Sequence, residues 1–308
     1  MRESANRSKF AAVFLTLTAI AGCGGGDTKP PEPPQRERAF AAESDAAKRY
    51  QRGEFEGALR QFTEAERLFT TIDDTEGIAR NRRHLARSAL HLGRPAEALA
   101  RLAGITENDL DTALDTALDT TLLRAQAHLG LGQLPEATAT LQAANARCQS
   151  PCAQSVALQL LWARLALANK RPDAAARHAR SALAFLAGNK DKDKDKASDD
   201  GREAANAQRL LAEALRDSGD LAAAETAAQH ALTLDRSLAL PEKIARDWLL
   251  LGYIRQKVDA QSTPKSVPSS APSPAARQAF QQARDIALAA GLRDILTAAE
   301  AGLAASSP

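Results

Sequence analysis

The chain is poor in the residues that build sheets. Of its 308 residues only 12 are Val or Ile, and aromatic side chains make up 4%. Strands use β-branched and aromatic residues to cover a pleated face, so a sheet-based fold is nearly excluded. A net charge of one sign is also lacking. The formal +2 is carried by residues 1–22, where Arg2, Arg7 and Lys9 stand against Glu3, and the remainder holds 37 basic and 37 acidic side chains. Without a general basic field, the electrostatic drive for nucleic-acid binding is missing. Catalytic signatures are scarce too. The five histidines (His84, His91, His128, His178, His230) show no HExxH spacing, and GxSxG, GxxxxGK[ST] and GxGxxG do not occur. Nothing pairs a nucleophile with a base. No enzyme activity, metal or cofactor is expected.

What the chain does have is 68 Ala and 40 Leu, about 35% of all residues. These are the strongest helix formers, so the fold is expected to be all-α. The alanines are ordered. A small residue is followed by another 12 later and a third 7 after that: Ala46, Ala58, Ala65; Ala125, Ala137, Ala144; Ala163, Ala175, Ala182; Ala212, Ala224, Ala231; and Ala86, Ala98 with Ile105 in the third place. Gly53, Gly93, Gly132 and Gly219 fall 7 residues after the first alanine, where a turn between two helices belongs; Lys170 stands there in the fourth unit. Phe62, Leu102 and Leu141 sit 4 residues after the second alanine. Small residues let helices approach closely while larger ones fill the remaining space.

This pattern, clearest in YQRGEFEGALRQFTEAERLF and LHLGRPAEALARL, resembles the tetratricopeptide repeat, lengthened from its usual period of 34 to spacings of 40, 39, 38 and 49. A sixth unit combines LLLGYIRQK (Leu249 to Lys257) with AARQAFQQARDIALAAG across a Pro- and Ser-rich insertion. The resemblance implies an α-solenoid of about six helical hairpins over residues 39–305, with LRDILTAAEAGLA as a capping helix. Insertions are expected at 188–201, where GNKDKDKDKASDDG reads as a solvated loop, and at 259–274. The resemblance also implies that the first helix of each unit lines a concave groove. Aligning units on the turn residue places Arg80, Arg83, Arg87 and His91 there in the second unit, with Gln126, Arg164, Arg209 and Tyr253 in later ones. Arginines suit an acidic or carboxylate-bearing ligand; the alternative is that they are ordinary exposed arginines. The Lys and Asn positions of the family's carboxylate clamp are not matched.

At the N-terminus, three basic residues precede FAAVFLTLTAIA (Phe10 to Ala21). Twelve residues are too short to span about 30 Å of hydrocarbon as a helix, so residues 1–22 read as a secretory signal. The following Ile20-Ala21-Gly22-Cys23 resembles the bacterial lipobox. That resemblance implies cleavage before Cys23 and acylation of its sulfur and amine, giving a palmitate-type membrane anchor. Gly24 rather than Asp after the cysteine resembles an outer-membrane address facing the periplasm. Residues 23–38 read as a Gly- and Pro-rich tether. An even pair of cysteines in an exported chain, Cys148 and Cys152, points to a disulfide; a redox pair or two-ligand metal site is the weaker alternative.

LDTALDTALDTTL (Leu110 to Leu122) has period four, which on a helix separates a leucine stripe from an acidic solvent face carrying Asp111, Asp115 and Asp119. The expected function is a non-enzymatic scaffold, anchored at the outer membrane and facing the periplasm, that binds a protein or peptide partner in its groove. Layout alone resembles the pilotins that help secretins assemble and the adaptors for murein hydrolases. The competing readings are a subunit of an envelope enzyme, or small-ligand binding around Trp162 and Trp248.

Overall fold

The computed structural model describes residues 33–105, 114–148, 151–188, 194–262 and 273–304. Among them there are thirteen helices and no strand. They form six successive hairpins and a final helix: α1 (Pro34–Gln51) with α2 (Phe55–Thr71), α3 (Thr75–His91) with α4 (Pro95–Ala103), α5 (Leu114–Gly130) with α6 (Leu134–Arg147), α7 (Ser155–Ala168) with α8 (Pro172–Gly188), α9 (Lys194–Ser218) with α10 (Leu221–Ser237), α11 (Pro241–Ser262) with α12 (Pro274–Ala290), and α13 (Arg293–Ala304). Cys23 and the segment Leu110–Asp111 lie outside the described residues.

Proline opens α1, α4, α8, α11 and α12, where its missing N–H is no loss and its φ is already helical. The hairpin turns follow one plan. Gly53, Gly93, Gly132 and Gly219 have φ of 77°, 69°, 69° and 96°, and Lys170 adopts the same left-handed conformation at 55°. The N–H of Arg94 donates to the Ala89 carbonyl at 2.8 Å, and that of Arg171 to the Ala166 carbonyl at 2.8 Å. The lysine turn therefore closes as the glycine turns do, satisfying a carbonyl at the end of the first helix. Asp73 and Ala239 are also left-handed, at 53° and 51°, in turns between units.

Every alanine of the three columns is fully buried, as are Phe62, Leu102 and Leu141 at the filling positions to within 1% exposure. The filling column continues as Ala179, Ala228 and Phe280. Two aromatic rings need glycine opposite them. A Cβ on Gly77 would lie 2.4 Å from the Phe69 ring, and a Cβ on either Gly252 or Gly302 would lie 2.6 Å from the Phe280 ring. The Phe280 ring of α12 is thus held between glycines of α11 and α13. Across the α6–α7 connection Cys148 and Cys152 form a disulfide with Cα atoms 5.6 Å apart, and the Cys152 N–H donates to Ser155 Oγ at 2.8 Å.

Three boundaries differ from the sequence expectation. Helix α1 begins at Pro34, inside the expected tether, because proline suits the first turn. Helix α9 begins at Lys194, so much of the expected loop 188–201 is helical and Gly201 is an interior residue. Extending a packed helix adds one hydrogen bond per residue, and a single glycine costs only about 1 kcal/mol. Asp199 and Arg202, three apart, lie 3.8 Å from each other on this turn. For the same reason α11 runs on to Ser262, within the expected insertion 259–274, through a stretch free of Pro and Gly.

First helices of neighbouring units touch one another (α3 with α5, α5 with α7, α7 with α9, α9 with α11), whereas second helices make no comparable contact. The array therefore curves with its first helices inside.

Two substitutions test this packing by urea unfolding. Gly252→Ala is expected to lower stability by about 1–3 kcal/mol, since neither Phe280 nor the α11 backbone has room to move. Lys170→Gly is expected to raise it by roughly 0.5–1 kcal/mol by relieving the left-handed lysine.

Candidate partner-binding groove

Along the inner face of α3, residues three and four apart share one stripe, and three arginines and a histidine stand on it: Arg80, Arg83, Arg87 and His91. Two are neutralised within the fold. Arg80 donates from Nε and Nη2 to the Glu43 carboxylate on α1 at 2.7 and 3.1 Å, with its guanidinium 5.4 Å from the centre of the Phe69 ring. Arg87 donates to Asp119 Oδ2 on α5 at 2.5 Å, so that aspartate belongs to a helix contact rather than to a free acidic face. Arg83, between them, makes no hydrogen bond or ion pair among the described residues, and burial lowers its pKa. His91 stacks on Phe55 at 4.3 Å, with the Tyr50 ring edge-on to it at 5.4 Å.

A hollow of about 360 Å³ opens where α3, α5 and α7 meet. Its apolar lining includes Leu90, Pro95, Leu129 and Ala168, and its polar groups are Gln126 and Arg164. Arg164 is exposed to solvent and makes no hydrogen bond or ion pair among the described residues; the crowded surroundings of the groove lower its pKa, while Glu213 and Glu203 of α9 oppose that shift from a distance. The structure thus brings Gln126 and Arg164 together beside Leu90, the neighbour of His91.

One expected groove residue is buried away from the hollow, and another packs on a neighbouring ring. Arg209 is 8% exposed and buried among helices: its Nε donates to Asp247 Oδ1 of α11 at 2.6 Å, Nη1 to Asn206 Oδ1 at 3.0 Å, and Nη2 to Asp235 of α10. A guanidinium inside the α9–α10–α11 junction cannot meet a ligand. Tyr253 is half-buried, its ring edge-on to Phe280 at 5.3 Å.

Other residues of the inner face escaped the sequence reading. Burial raises the pKa of Glu203 and Glu213 on α9 and lowers that of Lys243 on α11. Charges of α9 and α11 bear on the first two units: His91 feels Lys243, Glu242, Arg164 and Arg202, and Tyr50 on α1 feels Arg202. Register was the available signal for Glu213. It follows the first-column Ala212 directly, as Arg87, Gln126 and Arg164 follow Ala86, Ala125 and Ala163.

His84 stacks on Phe62 at 4.8 Å. Burial, helped by Arg87, Arg83 and Arg80, pushes its pKa down to about 4. Among the described residues no group of three His, Cys, Asp or Glu side chains can hold a metal ion, and no helix is long and apolar enough to cross a membrane.

No protein-family profile and no curated protein matches the chain. Solved structures do match over 85% of its length. The apo form of RapI aligns with a TM-score of 0.56 at 12% identity, covering 71% of that chain. A Rap protein complexed with Competence and Sporulation Factor aligns at 0.57 and 14%, covering 69%. The Cut9–Hcn1 hetero-tetramer of the APC/C aligns at 0.59 and 17%, and there the match spans only 43% of the other chain. The chain has an all-α, tetratricopeptide-like solenoid fold.

The buried histidine gives a pH prediction. The folded pKa of His84 lies below its ordinary 6.5, so between about pH 6.5 and 4 the unfolded chain takes up the proton first and stability falls with pH. Thermal melts across that window are expected to show a loss about 2 kcal/mol smaller in His84→Gln than in the wild type. Equal losses would refute the depressed pKa.

Proposed function

We propose that this chain is a non-catalytic scaffold which holds an extended, acidic segment of a partner protein in its concave groove, while a lipid on Cys23 tethers it to an envelope membrane. The observation that carries the groove reading is Arg164: a guanidinium with no contacting counter-ion among the described residues, on the wall of an apolar hollow that it shares with Gln126. Its side chain is exposed to solvent on the groove wall, so an incoming segment can reach it. A carboxylate pairs a guanidinium through two hydrogen bonds, and an apolar side chain beside it fills the hollow. Arg83 offers a second unpaired guanidinium seven residues before Leu90 on α3, about 10 Å along the helix, or three residues of an extended segment. The similar folds of a Rap protein in complex with Competence and Sporulation Factor and of Cut9 in complex with Hcn1 favour a partner-binding role.

The anchor rests on Ile20-Ala21-Gly22-Cys23 and the apolar run before it. Two or more acyl chains give durable membrane attachment. Ten residues lie between Cys23 and Pro34, so the start of α1 stays within about 40 Å of the surface. Gly24 after the cysteine suggests the outer membrane, facing the periplasm. Held there, the groove recruits by raising the local concentration of what it captures.

In vivo crosslinking followed by pull-down tests the groove. The Arg83→Glu/Arg164→Glu variant is expected to lose the principal crosslinked partner while keeping the wild-type circular dichroism. A folded variant with an unchanged crosslinking profile would sink the proposal. Metabolic palmitate labelling tests the anchor separately, and Cys23→Ala is expected to abolish incorporation.

A further inference from the structure

The junction of the fifth and sixth units contains more acid than its cation can neutralise. Asp235 on α10 and Asp247 on α11 are 1% and 0% exposed, and both accept from the single guanidinium of Arg209. The third donor direction of that guanidinium is taken by Asn206. With both carboxylates ionised, the buried cluster would carry a net negative charge, which a desolvated site strongly disfavours. Geometry reports the same conflict at one atom. Asp247 Oδ2 is buried and has no hydrogen-bond partner, although the two aspartate side chains lie within hydrogen-bonding reach of each other. A carboxylate oxygen left without a donor is expensive. A proton on that oxygen removes both problems, because it cancels the surplus charge and is donated to Asp235.

We infer that Asp235 and Asp247 share one buried proton beside Arg209, forming a proton-dependent clasp that docks the sixth unit onto the fifth. The inference is independent of what occupies the groove. The charges bearing on Asp247 are Arg209 from α9 and Asp235 from α10. On α11 itself, Lys243 lies one turn earlier and feels the Arg209 charge, while Arg246 turns away to Glu242 and to Asp294 of α13. Burial and the neighbouring Asp235 carboxylate raise the pKa of Asp247 to about 7 against the opposing pull of Arg209. The sign follows: the unfolded chain releases this proton near pH 4 and the folded chain near neutrality, so the stabilisation present at low pH is lost as pH rises between those values. Lys243 is carried on the same helix, so loosening of the clasp releases the groove wall that faces His91.

The test compares the full-length wild type with Asp247→Asn, whose amide supplies the missing donor without titrating. The melting temperature of the variant minus that of the wild type is expected to grow by several degrees from about pH 5 to about pH 7.5, then to stay level. Refolding near pH 6 is expected to take up about one proton more in the wild type than in the variant. A difference that does not change with pH, with equal proton uptake, would overturn the clasp. Asp235→Asn should behave in the same way, since either asparagine leaves one carboxylate for Arg209. If neither variant folds, the carboxyl carbon resonances of aspartate-labelled wild type decide: one aspartate titrating near neutrality in the folded protein upholds the inference, and none doing so refutes it.

Discussion

The whole structure depends on how near two helix axes can come. Where the side chain ends at Cβ, backbones approach until the packing resembles a molecular crystal. The buried columns at Ala46, Ala58 and Ala65, and their mostly alanine counterparts in later units, line the contacts between helices. Larger groups are admitted only where something has been removed opposite them. Phe69 requires Gly77, and Phe280 requires both Gly252 and Gly302. A hairpin of this kind leaves an apolar face that only another hairpin can cover, so the units stack and the chain becomes an array rather than a globule.

Curvature follows from the same constraint. Inner helices touch their neighbours and outer helices do not, so the array bends around its first helices. Bending gives the groove its electrostatic character. Side chains on a concave wall lose part of their water, and burial accordingly shifts Arg83, Lys243, Glu203 and Glu213 towards their neutral forms. On α3 the arginines on either side of Arg83 are tied to Glu43 and Asp119. The fold therefore ties two arginines of α3 to carboxylates and leaves Arg83 without an ion pair among the described residues, and it is this contrast that marks Arg83 and, on α7, Arg164.

The repeat was legible because its physics is local. A small residue every 12 and then 7 positions, with a turn residue between, records helix length and contact point directly in the sequence; even Lys170 kept the glycine conformation at its place. Helix ends were less legible. Asp- and Lys-rich sequence before Gly201 reads as loop by composition, yet a helix already anchored by packing extends through it. Individual side chains of the groove were the least legible. Arg83 and Arg209 occupy the same register, three residues before the first-column alanine. One faces the groove unpaired, and the other is drawn into a junction by Asp235 and Asp247. The distinction is made by residues 26 and 38 positions further on, which no reading of one helix can supply.

Alanine packing permits close stacking but does not by itself choose the register, because one alanine fits another's place. The buried polar contacts supply that choice. Asn81 Nδ2 donates to Glu43 Oε1 at 3.3 Å, and Arg209 Nε to Asp247 Oδ1 at 2.6 Å; both links join residues 38 apart on successive first helices. Slipping either interface by one turn would leave these groups buried and unmatched, at a cost of about 3–5 kcal/mol for a charged one. A buried asparagine fixes register in coiled coils by the same mechanism. The first and fifth junctions are thus pinned by polar links while the intervening core is largely alanine and leucine, so an array of nearly interchangeable units adopts one alignment, and with it one groove.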